Sequence, residues 1–256
     1  MEVTVIASGS AGNCLLIREN GSAVLVDVGL SARRIEAALA QCGLTTAQLS
    51  GILLTHEHGD HARGLKVIAS KQPVPVFTTP LTAASLKRSG VQASWNLFSS
   101  GAAFAVSEFE IRAFSVPHDA ADPVGFVVRG SGRSFAVLTD LGYATRQIIE
   151  AVRGVNALLI ETNHDELLLQ QDTKRPWSVK QRILSRHGHL SNAAAAMLVA
   201  EVATEALEHV VLGHLSRDCN SAEHATSAVE QKLRPQCGAR IHCAPTGDES
   251  FLTLSI

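Results

Sequence analysis

Residues 55–61 read Thr-His-Glu-His-Gly-Asp-His and directly follow the apolar run of residues 51–54. Imidazole and carboxylate groups are ligands that zinc-like ions prefer, and this density of them predicts a metal site with two ions. His56 and His58 lie two positions apart, so an extended backbone places both side chains on one side. Asp60 and His61 follow where the chain turns towards a predicted helix, and we expect them to face the second ion.

A two-metal site needs more ligands than this segment supplies. Three downstream residues of ligand type each follow an apolar run: His118 after residues 111–116, Asp140 after residues 135–139, and His214 after residues 210–213. Sheet proteins commonly place binding residues at the ends of strands. A lone histidine or aspartate there is more often a polar cap, but the cluster at residues 55–61 favours the metal role.

A second segment whose residues could take part in catalysis is His187-Gly-His-Leu-Ser-Asn192, which precedes an alanine-rich stretch. Ser191 or Asn192 is a suitable N-cap for a helix. Free backbone N–H groups and the positive end of the helix dipole at that point would bind an anion such as phosphate. His189 beside them is a candidate to protonate a leaving alkoxide or to neutralise phosphoryl oxygens.

A basic strip precedes this segment, with Asp172 as the only acid near it in sequence. It consists of Lys174, Arg175, Lys180, Arg182 and Arg186. We expect this strip, with Lys180 and Arg182 foremost, to guide a phosphate backbone by electrostatic attraction. The alternative is an ordinary N-cap preceded by a solvated basic helix face.

The elements that position these residues alternate between helix and strand. Apolar runs predict buried strands before each candidate ligand, and helical spacing predicts helices, among them one over residues 62–71. This pattern indicates the α/β class, with helices covering sheets. The 256 residues are 46% hydrophobic, which is sufficient for one large domain over residues 1–256.

Bulk properties exclude several classes of protein. A net charge of −2 does not describe a strongly basic nucleic-acid binder. No secretory signal is visible at the N-terminus, and no apolar run reaches the ~18 to 20 residues of a membrane span. Five scattered cysteines without a C-x-x-C pair favour reduced thiols, so we expect a cytoplasmic protein without membrane association. The oligomeric state is left open.

The pattern H-x-H-x-D-H, followed by a His, an Asp and a final His after successive strands, resembles the metallo-β-lactamase superfamily. The resemblance implies a four-layer αββα sandwich, with two mixed sheets, helices on the outer faces and the site at one edge. It implies one ion bound by His56, His58 and His118, a second bound by Asp60, His61 and His214, and Asp140 as the bridge. It also implies that Asp27 supports residues 55–61, the ligand loop, rather than binding metal.

Two close divalent cations lower the pKa of a bound water and polarise phosphoryl or carbonyl oxygens, which predicts a hydrolase. Asp60 is expected to orient the attacking water as well as to bind metal. His58 stands where diiron oxygen-reducing members carry Glu, which favours hydrolysis. Zn²⁺ and Mn²⁺ both suit these ligands, and Fe²⁺ is compatible.

Several short motifs narrow the resemblance to the YycJ-type (WalJ-type) subfamily. They occupy residues 8–13, 117–125, 161–165, 188–192 and 214–216. The resemblance implies cleavage of phosphodiester bonds by a DNA exonuclease of the 5′-to-3′ type. Two alternatives stay open: a phosphodiesterase of small or cyclic nucleotides, and a metal-binding regulatory module without turnover.

Overall fold

The computed structural model describes residues 1–233, 237–245 and 250–256. Its strands follow the apolar and β-branched runs of the sequence, as β-propensity predicts. Within the described residues they are β1 (Glu2–Ala7), β2 (Cys14–Glu19), β3 (Ser22–Val26), β4 (Gly51–Leu53), β5 (Pro75–Thr78), β6 (Ser94–Leu97), β7 (Ala103–Val106), β8 (Phe109–Ser115), β9 (Val124–Gly130), β10 (Arg133–Leu138), β11 (Ala157–Glu161), β12 (His209–Gly213), β13 (Arg240–Cys243) and β14 (Leu252–Ser255).

The strands form two mixed sheets of seven strands each. The first has the order β14-β1-β2-β3-β4-β5-β6, and the second has the order β13-β12-β11-β10-β9-β8-β7. In the first sheet, pairing is antiparallel from β14 to β3 and parallel from β3 to β6. The second repeats this pattern, antiparallel from β7 to β10 and parallel from β10 to β13. The carboxyl ends of the parallel strands therefore share one edge within each sheet.

The helices connect the strands. Within the described residues they are α1 (Ala32–Gln41), α2 (Gly59–Ala62), α3 (Leu65–Lys71), α4 (Pro80–Arg88), α5 (Arg146–Val152), α6 (Glu166–Gln171), α7 (Trp177–Ile183), α8 (Asn192–Val202) and α9 (Ala222–Lys232). None of these described helices combines the length and apolar character that crossing a bilayer requires.

Three apolar layers hold the sheets and helices together. Alternation along β11 illustrates them: Ala157 and Leu159 pack between the two sheets, whereas Leu158 and Ile160 pack against α5, α8 and α9. The outer face of the first sheet packs on α1, α3 and α4. Both faces of each sheet are thus buried, which explains the continuous apolar runs in the sequence. The predicted four-layer αββα sandwich is confirmed.

Three residues that follow strands have a left-handed backbone. Asp27 after β3, Asp140 after β10 and His214 after β12 have φ angles of 59°, 55° and 54°. Residues other than glycine rarely adopt this conformation, and in folded proteins it concentrates at functional sites. Each of these residues lies where the sequence predicts a ligand or its support.

Candidate metal centre

The first group of ligand-type side chains consists of His56, His58 and His118. One nitrogen of each ring lies within 4.8 Å of the corresponding nitrogens of the other two. His56 and His58 leave the end of β4 on extended backbone, and α2 begins directly after His58. His118 comes from the loop after β8, so two sheets contribute to this group.

The second group surrounds Asp140, which reaches towards both sides of the site. Asp140 Oδ2 lies 2.7 Å from His61 Nε2, and Asp140 Oδ1 lies 3.2 Å from His214 Nδ1 and 3.9 Å from His118 Nε2. Asp60 Oδ2 lies 3.7 Å from His61 Nε2 and 3.9 Å from His214 Nε2. The structure therefore brings all the predicted ligands together, with Asp140 between the two groups.

The histidine rings are oriented through their second nitrogens, as in protein metal sites. The Nδ1 atoms of His56 and His118 contact Thr55 Oγ1 at 3.0 Å and the Gly188 carbonyl oxygen at 3.1 Å. His56 Nε2 is buried and makes no hydrogen bond to any described residue. A buried polar atom without a partner is costly, and a cation in contact with this nitrogen would satisfy it. The donor set therefore fits divalent metal ions.

The charge states also suit cation binding. Burial, and then the neighbouring His61, hold the pKa of His56 well below its usual range, so its ring is neutral as a ligand must be. Burial opposes ionisation of Asp140, but His214 and His61 outweigh it and hold the pKa of Asp140 well below its usual range. Asp140 is thus a buried carboxylate in its charged form, the form that binds a cation.

Asp27 lies beneath the ligand loop and is fully buried. Its Oδ1 accepts a hydrogen bond from the Thr55 backbone N–H at 2.9 Å, and the Thr55 hydroxyl lies 2.9 Å from its Oδ2. Oδ2 also contacts His61 Nδ1 at 2.7 Å. Asp27 therefore links the two ends of the ligand loop and turns the Nε2 atom of His61 towards Asp140.

The small-residue turn at residues 8–13 packs against the ligand loop. The Asn13 N–H donates to the Asp60 carbonyl oxygen at 2.7 Å, and the Gly29 N–H donates to the Asn13 carbonyl oxygen at 2.8 Å. A Cβ atom on Gly29 would lie 1.6 Å from the Asp60 carbonyl oxygen. Only glycine allows this approach of two backbones, which holds Asp60 in place.

His189 lies beside the candidate ligands and is held by Glu161, a residue to which the sequence analysis assigned no role. Its Nδ1 atom lies 2.6 Å from Oε1 of Glu161, which is fully buried at the end of β11. Glu161 Oε2 accepts hydrogen bonds from the backbone N–H groups of Leu141 and Leu190. Burial lowers the pKa of His189, but Glu161 outweighs it and raises the pKa to about 9. The sequence signal that could have identified Glu161 is an acidic residue at the end of an apolar, buried strand.

Ser191 and Asn192 begin α8 as predicted, but their side chains already have partners. Ser191 Oγ accepts the Ala194 N–H at 3.2 Å and donates to Glu166 at 2.8 Å. Asn192 is buried and bonds to Asn220. Their role as phosphate ligands stays a prediction, and it would depend on backbone groups rather than on these side chains.

Four of the five cations of the basic strip already have hydrogen-bonding or acidic partners. Lys180 is buried, and its Nζ donates to the Gln170 carbonyl oxygen at 2.9 Å. Arg182 Nε donates to Asp119 at 2.6 Å. Lys174 and Arg175 both pair with Asp218, and Arg175 also pairs with Asp172. Asp172 is the only acid near the strip in sequence, but folding brings Asp119 and Asp218 to the strip from distant positions.

Comparison with known proteins agrees with this geometry. The family model described as "Beta-lactamase superfamily domain" matches residues 22–215. Exodeoxyribonuclease YycJ of Bacillus anthracis is 38% identical over 236 residues, which cover 91% of this chain and 89% of the relative. Exodeoxyribonuclease WalJ of Streptococcus pneumoniae is 32% identical over 90% of this chain and 87% of its own.

Among solved structures, the metallo-β-lactamase fold protein YhfI from Bacillus subtilis superposes with a TM-score of 0.76. The superposition covers 99% of both chains at 13% sequence identity. At this identity the likeness shows the fold alone.

Proposed function

Because the chain belongs to the β-lactamase superfamily, and within it to the group of the exodeoxyribonucleases YycJ and WalJ, we propose that it is a metal-dependent exodeoxyribonuclease. The substrate is DNA, and the polarity is 5′ to 3′. The observation that carries the proposal is the convergence of the ligand-type side chains beside the Glu161–His189 pair.

The two sheets share one apolar interior, which supports a single domain over residues 1–256. A DNA substrate also suits the expected cytoplasmic location.

Two divalent ions, Zn²⁺ or Mn²⁺ with Fe²⁺ as a third option, complete the site. One would be held by His56, His58 and His118, the other by Asp60, His61 and His214, and Asp140 would contact both. Such ions polarise a phosphoryl oxygen and lower the pKa of a bound water.

Asp60 orients the attacking water. Its side chain is 23% exposed, whereas those of Asp140 and His61 are almost completely buried, so Asp60 faces the solvent side of the site. A carboxylate at this position accepts a hydrogen bond from water and directs the water oxygen towards phosphorus.

His189 protonates the leaving alkoxide. Glu161 occupies Nδ1 of the ring and stabilises its protonated form, which leaves Nε2–H as the donor. The bond from the water oxygen to phosphorus forms as the bond from phosphorus to the leaving oxygen breaks, and the proton passes from Nε2 to that oxygen. The attacking water loses one proton to solvent, and His189 takes one up from solvent before the next turnover. With a side chain that is 22% exposed, His189 is accessible to a substrate.

A phosphodiesterase of small or cyclic nucleotides is the second candidate. The pairing of Arg182, Lys174 and Arg175 with carboxylates favours it, because an extended DNA backbone usually meets a broader positive surface. A regulatory module without turnover is the weaker alternative, since a site that has lost its activity usually lacks one or more ligands.

A substrate panel separates these functions. Protein loaded with Mn²⁺ or Zn²⁺ is incubated with linear DNA labelled at the 5′ or the 3′ end, with RNA, with cyclic nucleotides and with bis-p-nitrophenyl phosphate. We expect early release of the 5′ label as a mononucleotide, and no release after removal of metal with EDTA. Intact DNA together with hydrolysis of a small diester would overturn the proposal in favour of the second candidate. Stoichiometric metal without any turnover would support the regulatory module.

A further inference from the structure

Tyr143 and Arg186 form a cation–π pair on the surface beside the metal centre. Cζ of Arg186 lies 4.7 Å from the centroid of the Tyr143 ring, within the ~6 Å range of this interaction. Tyr143 is 36% exposed, and Arg186 is exposed as well. Arg182 and Arg175 are neutralised by carboxylates, whereas no carboxylate in the described part of the chain pairs with Arg186.

Backbone contacts hold this pair close to the reacting groups. Tyr143 follows Asp140 by three residues, and Arg186 precedes His189 by three. Three residues span at most about 10 Å, so both side chains start near the site. A Cβ atom on Gly142 would lie 2.4 Å from the Arg186 carbonyl oxygen, so the two loops are in direct backbone contact. The pair therefore has a defined position relative to Asp140 and His189.

From this juxtaposition we propose that Tyr143 and Arg186 form a nucleotide-binding subsite beside the scissile phosphate, an inference that rests on the proposed hydrolysis of DNA. The Tyr143 ring stacks on a nucleobase, and Arg186 braces the ring and neutralises a neighbouring phosphate. Every base offers a π face, so stacking binds DNA without sequence preference. Such recognition suits an exonuclease that must process any sequence.

The test combines protein variants with substrates that lack one base. Tyr143→Leu and Tyr143→Phe are compared with the unaltered enzyme on single-stranded oligonucleotides carrying an abasic nucleotide at one of the terminal positions. For the unaltered enzyme, loss of the stacked base should raise KM about 5- to 100-fold. Tyr143→Leu should show the same rise on intact DNA, with no further rise on the abasic substrate. Tyr143→Phe should behave as the unaltered enzyme.

Arg186→Gln tests the charge, with Arg129→Gln as the matched control. Arg129 lies on β9, five residues beyond Val124, whose N–H group donates to the Thr55 carbonyl oxygen of the ligand loop. Arg129 is therefore about 17 Å from that contact, measured along the strand. Arg186→Gln should reduce the slope of log KM against log salt concentration by about 1. Arg129→Gln should leave the slope unchanged.

The outcomes distinguish the subsite from the function itself. If the unaltered enzyme degrades DNA and Tyr143→Leu retains its KM on intact DNA, the subsite is wrong and the proposed function stands. Independent, additive losses from Tyr143→Leu and from base removal would also overturn the subsite. If the unaltered, metal-loaded enzyme leaves DNA intact, the proposed function fails and the subsite fails with it.

Discussion

Glu161→Gln isolates the contribution of the buried carboxylate that holds His189. The substitution keeps the size of the side chain but removes the charge that stabilises the protonated ring across 2.6 Å. A hydrogen bond to a charged group contributes about 1.5–3 kcal/mol, so above about pH 9 the protonated fraction of His189, and with it kcat on DNA, should fall roughly 10- to 150-fold. KM should change little, because Glu161 is fully buried and cannot contact the substrate.

The leaving group provides the decisive assay. A diester of p-nitrophenol releases a stable phenolate that needs no proton, so Glu161→Gln should hydrolyse it at nearly the unaltered rate. His189→Ala should show the same selectivity, and the double variant should lose no more than His189→Ala alone. Metal content, measured by elemental analysis, should stay unchanged in all three. Equal losses on both leaving groups, or loss of metal, would refute the assignment of His189 as the acid.

Three further substitutions test two supports of the site and one residue of the basic strip. Gly29→Ala forces its methyl group into the Asp60 carbonyl oxygen and should reduce the metal content measured by elemental analysis; full occupancy would contradict the role given to this backbone contact. Asp27→Asn weakens the hold on His61 and should lower metal affinity about 10- to 100-fold in a chelator competition; an unchanged affinity would exclude Asp27 as a support. Lys180→Met should leave the KM for DNA unchanged, because the Lys180 ammonium group is buried and bonded to a backbone carbonyl oxygen. A raised KM would show instead that Lys180 contributes to substrate binding.

The convergence of the candidate ligands could be predicted from sequence because these residues are dense and because apolar strands precede them. Residues 55–61 place several ligand groups in one short segment, and the later ligands follow strands that are buried on both faces. The apolar runs of such strands are evident without any partner information. The same reasoning identified the central strands of both sheets.

Features that depend on distant partners could not be predicted. Asp119 and Asp218 meet the basic strip only after folding, and Glu161 meets His189 across 28 positions of sequence. The predicted helix over residues 62–71 is interrupted between α2 and α3. Gly64 lies there, and its Cβ position is 2.6 Å from the Leu30 carbonyl oxygen, so close backbone packing overrides the helical pattern.

Short elements with little apolar pattern could not be predicted from sequence either, because they also depend on distant partners or on capping. The strands β6 and β13 have four residues each and lie at edges of their sheets, where side chains are largely or partly exposed. Helix α6 has six residues and depends on Asp165, whose side chain accepts hydrogen bonds from two N–H groups of its first turn. Such elements are defined by pairing and capping rather than by periodicity.

The most direct test of the central claim is the release of mononucleotides from 5′-labelled linear DNA by enzyme reconstituted with Mn²⁺ or Zn²⁺. The unaltered enzyme should release the label progressively, and Asp60→Ala should slow the release by about 10³-fold or more. Chelated enzyme should regain activity when metal is restored. Intact DNA in the presence of metal-loaded enzyme, or an unchanged rate for Asp60→Ala, would contradict a metal-dependent exonuclease that acts through this site.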